Sequence, residues 1–130
     1  MSVATTEKIT INMNAVDLGK VDLLAEEGFY TNRTDFIRTA IRRQLSLHDV
    51  DLKSSLIRRE MLVGVLIHTR KGLEKHLAKN ERLRIRTVGV VVFEDDISPE
   101  LADATIESIK VLGILRANKA IKQILADRIQ

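Results

Sequence analysis

The chain lacks cysteine and tryptophan, has a single proline, and is only 3% aromatic. Without cysteine there can be no disulfide, no thiolate zinc site and no cysteine nucleophile. So few aromatic rings leave little for unpaired bases to stack on, which argues against single-strand and RNA-binding proteins. Long apolar runs are missing too. The longest, Met61–Ile67, is interrupted only by Gly64 and is far too short to cross a bilayer. Residues Met1–Thr6 show neither the basic nor the apolar region of a signal peptide, so a cytoplasmic location without a membrane partner is expected. There is no glycine-rich phosphate loop and no nucleophile beside a supporting base. The three histidines, His48, His68 and His76, are scattered. A metal shared by His68 and His76 would need carboxylates to complete it, and Asp95-Asp96 reads as a solvated turn. No enzymatic activity, cofactor or metal is expected.

What the chain does have is one globular chain's worth of apolar residues, 45% of 130, with 30% charged and a net charge of +3. A total so mildly basic says little about nucleic acid; placement says more. Arg33, Arg38, Arg42 and Arg43 fall within eleven residues. Just ahead of them, Glu7–Met13 alternates apolar Ile9, Ile11 and Met13 with polar Lys8, Thr10 and Asn12, the pattern of a strand with one buried and one wet face. No second strand follows within hairpin distance. Backbone N–H and C=O groups cannot be left unpaired against a core, so the strand must borrow its partner from a second copy. The result is a homodimer with a two-stranded ribbon, a shape that fits the DNA major groove.

Two helices follow. Asn14 is a suitable N-cap for a helix from Ala15, with Leu18, Val21, Leu24 and Ala25 on one face and Gly28 placed to end it. Phe29 and Tyr30 lie in the turn and are expected to cover the joint. A second helix opens at Asn32, with Asp35 completing a capping-box variant. Phe36, Ile37, Ala40, Ile41 and Leu45 form its apolar stripe, while Arg38, Arg42 and Arg43 face elsewhere as solvated or ion-paired residues.

The order of these pieces, and above all Asn32-Arg33-Thr34-Asp35-Phe36-Ile37-Arg38-Thr39-Ala40-Ile41-Arg42, resembles the ribbon-helix-helix DNA-binding regulators of the Arc/MetJ/CopG type. The likeness covers about the first third of the chain. It implies that Lys8, Thr10 and Asn12 read base edges. Their chemistry suits this, because lysine donates to guanine, asparagine pairs with adenine, and threonine meets either bases or a thymine methyl. It also implies that Asn32, Arg33 and Thr34 hold a DNA phosphate at a helix N-terminus, where free amides and the helix dipole favour an anion. Ile9, Ile11, Met13, Phe36, Ile37 and Ile41 become the dimer core. Nickel-responsive relatives use a cluster of histidines with a cysteine, which this chain lacks, so that sensing role is not implied.

The remainder is divided as a connector, 48–60, and a second domain, 61–130, following the ribbon-helix-helix domain of 1–47. Within the second domain a repeat is visible. Ile85–Val91 overlays Ile109–Leu115 at an offset of 24 residues, and the same offset pairs Ile97 with Ile121 and Leu101-Ala102-Asp103 with Leu125-Ala126-Asp127. Leu62–Leu66 joins the series after a one-residue slip. Each unit reads as an aliphatic strand, a turn and a short helix, the helices falling near 71–79, 99–108 and 118–128. Strands so uniformly apolar imply parallel pairing with both faces buried. The expected fold is therefore α+β, an intertwined ribbon-helix-helix dimer followed by a small α/β domain of three strand–helix units that promotes higher assembly. A ferredoxin-like regulatory domain is the competing arrangement, if 83–93 breaks into a hairpin.

The function expected is that of a sequence-specific repressor acting on double-stranded DNA. The alternatives are an antitoxin whose C-terminal half blocks a partner protein, and an architectural scaffold whose repeats polymerise.

Overall fold

A computed structural model describes residues 5–130 of the chain. They form two compact units, Lys8–Arg58 and Arg59–Gln130, the second also taking in residues 5–7.

The first unit opens with a segment that has no regular secondary structure and is unpaired through residue 14, so the strand expected at Glu7–Met13 is not formed within one chain, and continues into helix α1, Ala15–Glu26. The Asn14 carboxamide oxygen caps it, accepting from the amides of Val16 and Asp17 at 2.9 and 3.3 Å. At the other end Gly28 adopts φ +84°, and the amides of Gly28 and Phe29 return to the carbonyls of Ala25 and Leu24 at 3.1 and 3.0 Å. This is a Schellman closure, in which glycine supplies the left-handed residue. Helix α2, Arg33–Leu47, follows a short turn. A third helix, α3, spans Asp49–Arg58. The connector at 48–60 is therefore mostly helical. Its polar first turn, His48-Asp49-Val50-Asp51, is a helix start, with Asp49 and Asp51 placed at the positive end of the helix dipole.

In the second unit three strands alternate with three helices: β1 Leu62–His68, α4 Arg70–Ala78, β2 Leu83–Phe93, α5 Pro99–Thr105, β3 Ile106–Arg116 and α6 Lys119–Ile124. The strands are all parallel in the order β1-β2-β3. Their register sets Ile85 beside Ile109 and lines up Gly64, Gly89 and Gly113 in one row across the sheet. Positions related by the sequence repeat are thus hydrogen-bonded neighbours. All three glycines have positive φ, 149°, 139° and 128°. A Cβ on Gly89 would collide with the carbonyl oxygen of Gly64, and one on Gly113 with that of Gly89. β2 is one unbroken strand, and no antiparallel pair occurs among the described residues, so the ferredoxin-like arrangement is excluded.

One face of the sheet packs on the helices. Ile85, Val91, Phe93 and Ile109 meet Leu73 of α4, Ala102 of α5 and Ile121 of α6, with Ile97, Ile106 and Leu125 closing the cluster. Every helix here has a side-chain cap: Thr69 to the Gly72 amide, Ser98 to Leu101, and Asn118 to Ile121. Pro99 sits at the first helical position, where its missing N–H is harmless. α5 ends at Thr105, not at 108 as expected, and the chain passes straight into β3. Guanidinium groups make this abrupt join possible. Arg128 donates to the carbonyls of Asp103 and Ile106 at 2.9 and 3.0 Å and pairs with the Asp103 carboxylate, while Arg82 adds a bond to the Ile106 carbonyl at 3.2 Å. These bonds satisfy the helix-end carbonyls that another turn would otherwise use.

The expectation that every strand is buried on both faces fails for β1. Leu62, Val63, Val65 and Ile67 are all exposed, because β1 is an edge strand. The outer edge of β3 is different. Arg128–Gln130 returns along it, with the Ile109 amide donating to Arg128 and the Gln130 amide donating to Ile109 at 2.9 and 2.8 Å.

Candidate nucleic-acid interface

Lys8, Thr10 and Asn12 lie on the unpaired segment before α1, and all three are exposed. The apolar residues that alternate with them are exposed as well, Ile9 at 70%, Ile11 at 61% and Met13 at 38%. Phe36 and Ile37 on α2 are half-buried; Ile41, Leu45 and Leu47 are open to solvent. Over residues 8–58 Val21 is the only fully buried apolar side chain. The segment thus carries a complete apolar stripe and almost no core to receive it. Each such side chain left in water forgoes roughly 1.5–3 kcal/mol of burial. In the turn between α1 and α2, Tyr30 meets Phe36 edge-to-face with ring centroids 4.9 Å apart, whereas Phe29 points outward. The joint is covered by one aromatic of the pair.

The start of α2 is tightly organised. The Asn32 carboxamide oxygen accepts from the Asp35 amide at 2.9 Å, and Asp35 Oδ2 accepts from the Thr31 amide at 2.9 Å. Asp35 thus reaches the amide before the cap residue and not that of Asn32, so the reciprocal half of the expected box is shifted by one residue, while the Asn32 cap forms as expected. It occupies the amide of Asp35 but not those of Arg33 and Thr34, which at the first two helical positions have no acceptor within the helix. Both amides belong to exposed residues. An anion seated there would gain two N–H donors and the positive end of the α2 dipole.

The Arg33 side chain does something the sequence did not suggest. Its Nε and Nη2 donate to the two carboxylate oxygens of Asp22 on α1 at 2.7 and 2.9 Å. The hydrogen bond, reinforced by the guanidinium charge, holds the Asp22 carboxyl below the usual carboxylate range and raises Arg33 further above its own. This fork braces α1 against α2 and compensates the cation closest to the proposed phosphate site. Of the three residues assigned to the phosphate, Asn32 acts as cap, Arg33 as brace, and Thr34 is left free to reach an anion by its amide and hydroxyl. Arg38, Arg42 and Arg43 are exposed along α2.

In the second unit His68 stacks on Phe93, ring centroids 5.2 Å apart, and His76 bonds to Glu81 at 2.8 Å. Burial, with the His76 charge as a lesser cause, pushes the His68 imidazole below its ordinary value. No group of three or more metal-ligating side chains occurs among the described residues. Asp96 lies 3.8 Å from the Arg70 guanidinium, an ion pair across the turn after β2. An open cavity of about 750 Å³ at the C-terminal ends of β2 and β3 is lined by residues of both signs, including Glu94, Asp95, Arg116 and Lys122. No helix among the described residues is long and apolar enough to cross a membrane.

Comparison with known proteins agrees with the arrangement of unpaired segment, α1 and α2. No curated protein and no solved structure matches the chain significantly. The profile of one family does, and it extends over residues 4–122, from before the unpaired segment into α6. The chain therefore belongs to the ribbon-helix-helix transcriptional regulator family, a family of DNA-binding regulators.

Proposed function

We propose that the protein is a homodimeric, sequence-specific repressor that reads the major groove with a ribbon made of Lys8–Met13 from each of two chains. The observation that carries this reading is the exposure of Ile9, Ile11 and Met13 on an unpaired segment ahead of a nearly coreless pair of helices. A second copy supplies both what the backbone lacks, a hydrogen-bonding neighbour, and what the stripe lacks, an apolar surface. Pairing the strands turns Ile9, Ile11 and Met13 inward and leaves Lys8, Thr10 and Asn12 on the outer face. The amides of Arg33 and Thr34 then fix register on the phosphate backbone, while the ribbon chooses sequence. The first unit is thus the DNA-binding domain. The strand–helix unit after Arg59 serves assembly, joining chains so that several ribbons act together.

The experiment is a binding titration by fluorescence anisotropy, using a duplex selected from a random library by the protein itself. The wild-type chain is expected to bind that duplex far more tightly than scrambled DNA, with affinity falling steeply as salt rises. Equal binding to selected and scrambled duplexes would contradict sequence-specific readout. Ile11→Lys, which places a charge in the ribbon's inner face, is expected to abolish binding by preventing the two strands from pairing.

A further inference from the structure

From the edge of the second unit we infer that β1 is an assembly strand, which pairs antiparallel with the β1 of a second copy of this chain across a two-fold axis. This deepens the assembly role proposed above and rests on it. Four observations carry it.

The apolar exposure on this unit is heaviest on one strand, β1. Leu62 at 63% and Val63 at 68% project to opposite sides, yet both are open, as are Val65 and Ile67. Val90, paired with Val65 on the next strand, is only 4% exposed. On the face away from the helices exposure is thus greatest at the β1 edge, with Leu112 of β3 also open. A flat apolar edge with no lysine, proline or bulge is the kind natural proteins protect from unintended pairing, and β1 has none of these from Leu62 to Ile67.

The glycine row points the same way. At Gly89 and Gly113 the space a Cβ would need is filled by the carbonyl of the preceding strand's glycine. Gly64 has the same left-handed φ, and the corresponding space beside it is empty. The sheet's own pattern thus leaves room for one more strand outside β1.

The outer side of β3 is partly filled, by Arg128–Gln130 at Ile109, whereas no segment among the described residues pairs with the outer side of β1. A β1-to-β1 contact uses the same surface on both copies, so the pairing closes instead of growing into a filament. Lastly, Met61–Ile67 carries no charged side chain, so two copies meet without like-charge repulsion. Chains already joined through their ribbons would present this strand at high effective concentration.

The test measures mass by light scattering on the full-length chain at micromolar concentration. In the Ile11→Lys background, where the ribbon cannot pair, two chains are expected to remain together. Adding Val65→Lys, or Val63→Lys if the first variant loses its helical circular dichroism, should halve the mass to a single chain. Ile11→Lys found already as a single chain, or a double variant still paired, overturns the edge proposal. The ribbon reading fails separately, if Ile11→Lys alone changes neither the mass nor the DNA affinity of the wild-type chain.

Discussion

Asp22 decides how much of the Arg33 side chain is available to the proposed phosphate. With both carboxylate oxygens engaged by the guanidinium, the charge nearest the phosphate site is already compensated, and the backbone amides of Arg33 and Thr34 are the donors that remain. Asp22→Asn should release the side chain toward the phosphate. Its expected effect is tighter DNA binding and a salt dependence of log K steeper by roughly 0.9 for each Arg33 that gains a phosphate, measured by titration at several salt concentrations. A second residue-scale prediction concerns His68. Its imidazole is buried, its Nε2 has no partner, and its pKa is depressed. Below the ordinary value of about 6.5 the unfolded chain takes up a proton that the folded chain resists. Stability of the second unit should therefore fall as pH drops through that value toward the lower folded one. Urea midpoints between pH 7 and pH 5 should show the decline, and His68→Leu should flatten it.

Among the elements, caps and periodicity were the most legible features. Asn14, Gly28 and Asn32 all act where their types and spacing suggested, since caps are local in sequence. The repeat was legible for a related reason. Parallel neighbours in register repeat the same side-chain environment, so Ile85 and Ile109, or Gly89 and Gly113, were chosen alike. What could not be read was whatever depends on distance along the chain. The Asp22–Arg33 fork joins residues on separate helices, and the Arg82 and Arg128 bonds that end α5 come from far outside it. Helix α3 was obscured by its acidic, serine-containing sequence, which resembles a linker until the helix dipole is considered. The exposure of β1 was invisible because an apolar run looks the same in the centre of a sheet and at its edge. The glycine row yields an element-scale prediction. Gly64→Ala and Gly89→Ala share the strain of a positive φ, of order 1–3 kcal/mol, but only the latter adds a backbone collision. Gly89→Ala should lower the urea midpoint of the second unit well beyond Gly64→Ala; equal shifts would mean that the row is not held by close contact.

For the whole molecule, the two units answer different problems with the same device. Lys8–Met13 is an unpaired segment ahead of helices with almost no core, and β1 is an edge without a neighbour. On the proposed reading, another copy of the chain supplies the missing group in each case. The ribbon would give DNA contact and the edge would set how many ribbons act at once. Weakening the edge with Val65→Lys should therefore leave binding to one site nearly intact while reducing cooperativity across tandem sites, as a gel-shift titration would show. Affinity for any duplex comes largely from phosphate contacts, and only the choice among duplexes reports on the ribbon. The measurement that tests the ribbon most directly is thus the ratio of affinities for selected and scrambled DNA in the double variant Thr10→Ala, Asn12→Ala. Losing base contacts worth about 1–3 kcal/mol each should cut that ratio at least tenfold, with the salt slope and the oligomeric mass unchanged. A ratio equal to that of the wild-type chain would contradict readout by this strand.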